Sequence, residues 1–126
     1  RTPAGLRGRL ARLAGAHYHA WEACPPGWLA ATLATAETAW VTTDSVSMVY
    51  EALTAGCATG LIELPAAAGN PGKIAHGLAG LERDRLVVTF SNMLATGHAP
   101  TPTATPLAEA DRVAALLAPL AANTRP

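Results

Sequence analysis

One continuous stretch limits the fold more than any other: Trp40-Val41-Thr42-Thr43-Asp44-Ser45-Val46-Ser47-Met48-Val49-Tyr50-Glu51-Ala52-Leu53, followed by Gly56. Its opening residues are aromatic or β-branched and read as a buried strand end, and Asp44 and Ser45 read as a turn. Met48, Val49, Ala52 and Leu53 then recur at helical spacing and mark one face of a helix. A strand that passes through a tight turn into a helix N-terminus is the repeating unit of α/β sheets, and it is where such sheets place ligands.

The remainder of the chain alternates in the same way. Leu6, Leu10 and Leu13 recur at helical spacing, so a helix is expected over residues 3–13, with Pro3 in its first turn and Gly15 suited to its end. Residues 16–21, short and aromatic, read as a strand, and residues 28–36 as a second helix. Residues 38–42 and 58–64 read as strands on either side of the central helix, and a loop of small residues spans 66–72. Lys73 opens a further helix with Ile74, Leu78 and Leu81 inward, and residues 85–90 form the last strand. The fold class is therefore α/β, a Rossmann-like parallel sheet with helices on both faces. Residues 1–96 would form this half-domain, 97–106 a Pro/Thr linker, and 107–126 a C-terminal helix and tail, with Ala110, Val113, Ala114 and Leu117 on its packing stripe.

Composition narrows the function classes. Half the residues are hydrophobic but only 5% are aromatic, so the core should be close-packed helix on sheet, filled by Ala, Leu and Val. A formal net charge of zero argues against a nucleic-acid surface, which needs a clustered basic excess. Arg1, Arg7, Arg9 and Arg12 read as a solvated helix face. Cys24 and Cys57 lack the spacing of a zinc or redox pair and read as thiols in a reducing cytoplasm. His17 and His19 alternate onto one strand face, but no third ligand sits beside them, so no metal is expected. No cofactor is expected either. No apolar run approaches the roughly 18 residues of a membrane span, and a cytoplasmic location follows as the expectation.

A helix that starts at a turn offers three or four unpaired backbone N–H groups, and its dipole places roughly half a positive charge there. Ser45 and Ser47 add hydroxyl donors, a combination that suits a phosphate. Asp44 or Ser45 has a competing role as N-cap, worth about 1 kcal/mol to the helix. Glu51 is either an idle exposed carboxylate or, in a cleft, an acceptor for two vicinal hydroxyls such as those of ribose.

Thr43-Asp44-Ser45, Glu51-Ala52 and Gly56 keep, without a gap, the spacing of the C-terminal nucleotide-binding half of sugar-nucleotide enzymes with the GT-B fold. The bacterial UDP-N-acetylglucosamine 2-epimerases and MurG-type glycosyltransferases are examples. The chain more closely resembles the family of the plant mitochondrial-fission (elongated-mitochondria) protein and its bacterial relatives, which looks related to the same fold. Arg1-Thr2-Pro3, the stretch from Val41 to Gly56, Leu64-Pro65, Lys73, and Pro106-Leu107 with Glu109, Arg112, Val113 and Ala114 carry that resemblance.

The resemblance implies a nucleotide-diphosphate sugar, with a UDP-sugar as the candidate. The diphosphate would sit on Asp44, Ser45, Val46 and Ser47, the ribose on Glu51, and Lys73 would be a further ligand contact. Arg1 and Thr2 would belong to a second phosphate-facing turn, whose preceding strand, like the N-terminal domain closing the cleft, would lie outside this chain. The whole protein is then glycosyltransferase-like, whereas this piece alone, which offers no evident general base or nucleophile, should turn nothing over. Catalytic residues are not identifiable. The alternative is an interaction protein that kept the scaffold and lost the chemistry, and Val46 and Ser47, standing where the sugar-nucleotide enzymes carry glycines, favour it. A free-standing flavodoxin-like domain is a third and weaker reading.

Overall fold

The computed structural model describes residues 3–65 and 73–122. Its elements follow in the order α1 (Ala4–Leu10), a short 3-10 turn (Trp21–Ala23), α2 (Trp28–Leu33), β1 (Thr38–Thr42), α3 (Val46–Ala55), β2 (Ala58–Ile62), α4 (Lys73–Arg83), β3 (Val87–Thr89), α5 (Phe90–Thr96) and α6 (Glu109–Ala122). The strands form one parallel sheet in the order β1-β2-β3, surrounded by helices, which is the α/β, Rossmann-like architecture expected from the alternation.

Register explains which side chains meet. Val41 is level with Leu61 and Trp40 with Gly60, and Thr59 is level with Val87. Because side chains alternate along a strand, Val41, Leu61 and Val87 point to one face. There Val49 and Leu53 of α3 and Leu78 and Leu81 of α4 close over them as the main core. Leu33, Ala52 and Cys57 form a second cluster between α2 and α3, where the Cys57 thiol donates to the Leu33 carbonyl at 3.2 Å. On the opposite face the Trp40 indole lies across Gly60 and meets Phe90 edge-on, ring centroids 5.6 Å apart.

The two turns that return helices to the sheet are built alike. At the end of α3, the Cys57 N–H bonds the Ala52 carbonyl and the Gly56 N–H the Leu53 carbonyl, with Gly56 left-handed at φ 84°. At the end of α4, the Leu86 N–H bonds the Leu81 carbonyl and the Arg85 N–H the Glu82 carbonyl. This is the Schellman pattern, which strongly prefers glycine at its left-handed position. The second turn instead carries Arg85 at φ 59°. Left-handed backbone costs a side-chain-bearing residue about 1–2 kcal/mol, of which glycine's extra unfolded-state entropy takes back about 0.5–1 kcal/mol. Arg85→Gly should therefore leave the domain equally stable or up to about 1.5 kcal/mol more stable, read from the urea unfolding midpoint.

Three expectations need correction. Residues 16–21 are not a strand, and the last of them, Trp21, opens the 3-10 turn. Their period-2 pattern is suitable, but a strand needs a neighbour, and among the described residues the N–H groups of His17, Tyr18 and His19 have no hydrogen-bonded partner. Residues 90–96, for which no helix was expected, form α5. The Thr89 hydroxyl caps it by accepting from the Asn92 N–H, Glu63 accepts from the Ser91 N–H and hydroxyl, and Gly97 ends it at φ 73°. The helix expected over residues 3–13 ends at Leu10, leaving Leu13 outside it and exposed, and the apolar stripes of the two terminal helices are less buried than their spacing implies, since Leu6, Val113 and Leu117 are exposed. Leu107, just before α6, is the part of the C-terminal segment that does pack on the core, and its N–H bonds the Leu53 carbonyl at 3.1 Å.

Candidate functional site

The carboxyl ends of β1 and β2 are tied together. Thr43 donates its N–H to the Ile62 carbonyl at 3.0 Å, and its hydroxyl accepts the Leu64 N–H at 3.1 Å. The Ser45 N–H bonds the Thr42 carbonyl at 2.9 Å and completes the turn. This bracing sets where α3 begins. The residue at its N-cap is Ser45, and no side chain makes a capping hydrogen bond there. The capping role expected of Asp44 or Ser45 is thus absent from both side chains, because Ser45 at φ −102° and ψ 59° departs from the usual extended N-cap backbone.

Among the described residues, the first-turn N–H groups of Val46, Ser47 and Met48 have no partner, and the ladder starts with Val49 bonding the Ser45 carbonyl. These N–H groups and the exposed Asp44 and Ser47 side chains stand at the carboxyl edge of the sheet. Val46 is half-buried and packs against the main core.

Glu51 lies farther along α3, exposed, and lines two adjoining cavities. One, of about 480 Å³, runs along the outer side of α2 and α3 beside Leu33, Tyr50 and Thr54. The other, of about 500 Å³, lies between the start of α3 and the segment leading into α2, and is walled by His19, Trp21, Trp28 and Met48. The His19 imidazole and the Trp28 indole are 4.9 Å apart by ring centroids and inclined at 43°. Gly27, left-handed at φ 78°, turns the chain into α2 at this cavity.

Nearby, the Arg7 guanidinium reaches Glu22 at 2.8 Å and joins α1 to the 3-10 turn. The Glu22 carboxyl is held below its ordinary range, first by a backbone hydrogen bond at its own residue and further by Arg7. Both groups are exposed enough that the pair positions the turn rather than stabilising the fold.

The structure therefore places Ser45, Val46 and Ser47 on one helix end and Glu51 on the same cavity as aromatic rings that sequence order does not associate with it. Ser45 and Ser47 do not line the cavity, which is reached from α3 by Met48 and Glu51. Arg1 and Thr2 lie outside the described residues, and of Lys73 only the backbone, opening α4, is described. The sequence reading missed Trp21 and Trp28 as cavity walls. The signal was present in the Cys24-Pro25-Pro26-Gly27 turn, which folds the chain back between them. Among the described residues no group of three His, Cys, Asp or Glu side chains could hold a metal ion, and no helix is long and apolar enough to cross a membrane.

The family model for mitochondrial fission ELM1 matches residues 1–119. No curated protein and no solved structure matches the chain.

Proposed function

The chain belongs to the mitochondrial fission ELM1 family, and on that premise we propose that it is the nucleotide-binding half of a GT-B-like protein whose ligand is a nucleotide-diphosphate sugar. The observation that carries this reading is the placement of Glu51, which lines a cavity of about 500 Å³ together with Trp21, Trp28 and His19. The base stacks in that cavity, and Glu51 accepts hydrogen bonds from the two ribose hydroxyls. The diphosphate runs to the start of α3, where the N–H groups of Val46 and Ser47, the hydroxyls of Ser45 and Ser47 and the helix dipole receive it, with Asp44 at the turn. Arg1 and Thr2 supply a second phosphate contact and Lys73 a further one. The sugar faces an N-terminal domain, and a glycosyltransferase-like reaction belongs to the two domains together. Residues 1–96 act as the binding half, and residues 97–106 link it to the C-terminal helix.

Calorimetric titration with UDP and UDP-N-acetylglucosamine tests the reading. Binding is expected to weaken at least tenfold in Glu51→Ala, about 1.4 kcal/mol, with an unchanged melting temperature because Glu51 is exposed. Absence of heat with every nucleotide tried, on this chain and on the whole protein, would sink the proposal.

A second reading has its own support. Val46 packs against the core at the position where close phosphate approach favours glycine, which suits an interaction protein without chemistry. Glu51→Ala and Ser45→Ala in the whole protein discriminate between the two, because unchanged cellular activity of both variants selects the interaction role.

A further inference from the structure

A cavity of about 500 Å³ lies away from Glu51, against β3 at the edge of the sheet, where α5 and the residues after it fold back past the strand. Val87 and Val88 of β3 line it, and Glu82, Arg85, Asn92 and His98 are the polar groups around it. Arg85 is the unusual member. It occupies the left-handed position of its turn, where the matching turn after α3 has Gly56. Among the described residues its exposed guanidinium has neither a hydrogen bond nor an ion pair. Left-handed backbone at a residue that lines a cavity is a reason to look for a function there.

The neighbouring groups complete a recognisable chemistry. The Asn92 side-chain amide and the His98 imidazole have no partner among the described residues and can donate alongside Arg85. The Glu82 carboxylate is already oriented, with Oε1 accepting the Thr89 hydroxyl at 3.0 Å, which leaves its other oxygen as an acceptor. Three donors with one cation and a single fixed acceptor match an oxyanion that carries hydroxyl groups beside it. We propose that the cavity formed by Arg85, Asn92, His98 and Glu82 is a second ligand site, taking a small hydroxylated molecule with one phosphate or carboxylate group. Arg85 pairs with the oxyanion, Asn92 and His98 donate to it, and Glu82 accepts from a ligand hydroxyl. The site shares no residue with the nucleotide cavity, so the two stand or fall separately.

Titration of the isotope-labelled chain with glycerol 3-phosphate and with glycerate, followed by amide chemical shifts, tests the site. Saturable shifts are expected at Arg85, Asn92 and His98 and not at Val46 to Glu51. Tighter binding of glycerol 3-phosphate assigns a phosphate ligand, and tighter binding of glycerate a carboxylate. Arg85→Gly should weaken the better ligand at least tenfold while melting no lower than the parent, since glycine suits the backbone there. Arg83→Ala, which removes an exposed cation two residues away, should leave binding unchanged. Shifts that stay linear in ligand, or equal affinity in Arg85→Gly and the parent chain, overturn the proposal.

Discussion

Gly60→Ala should lower the melting temperature by roughly 8–12 °C, the consequence of about 2–3 kcal/mol of overpacking in a domain of this size. A β-carbon at Gly60 would fall within the space of the Trp40 indole, with Cε3, Cζ3 and Cδ2 all inside contact distance. Neither partner can give way easily. Gly60 sits in the middle strand, paired between β1 and β3, and the Trp40 ring meets Phe90 edge-on. Thermal unfolding followed by far-ultraviolet circular dichroism measures the effect. Combining Gly60→Ala with Trp40→Ala should cost less than the two single changes added together, because the residues are in contact. Strictly additive costs would mean that the indole does not rest on Gly60.

Leu53→Ala should cost about 3 kcal/mol, within the range for emptying a leucine site in a packed core. Leu53 is 1% exposed and touches the sheet side chains that α3 covers. Its carbonyl also accepts the Leu107 N–H, so the cavity left behind would loosen the segment that enters α6. Urea unfolding should show a lower midpoint at an unchanged slope. Ile62→Ala is the internal comparison. Ile62 is hydrophobic and in the neighbouring strand but 37% exposed, so its truncation should cost less than half as much as that of Leu53. Equal losses at the two positions would mean that α3 is not the element organising the core.

The contrast between these leucine and isoleucine positions shows how far pattern reading reaches. Val49, Ala52 and Leu53 stand at i, i+3 and i+4, and a helix with that stripe beside a sheet has one way to bury it, which is how α3 packs. Leu78 and Leu81 follow the same rule in α4. The rule failed for Leu6, Val113 and Leu117, whose spacing is equally regular but which remain exposed. Periodicity states that a face can be buried, and only a complementary surface buries it. The His17–His19 segment failed for a related reason, since a strand is defined by the hydrogen bonds of a neighbour and not by its own alternation. The α5 helix was legible in retrospect from Thr89, three residues ahead of Asn92, and from Gly97 at its end.

The strand-turn-helix at Thr38 to Ala55, the closure of α3 at Gly56 and the α/β alternation were written in local sequence, because each depends on residues within a turn or two of one another. The tertiary structure alone decided what stands opposite them. It laid Trp40 over Gly60 through strand register, and it placed Glu51 on one cavity with Trp21 and Trp28 by packing α2 on α3. It also gathered Arg85, His98 and Glu82 around one cavity by folding the chain after α5 back along β3. Such meetings depend on loop closure and packing over long stretches of chain, which no local propensity encodes.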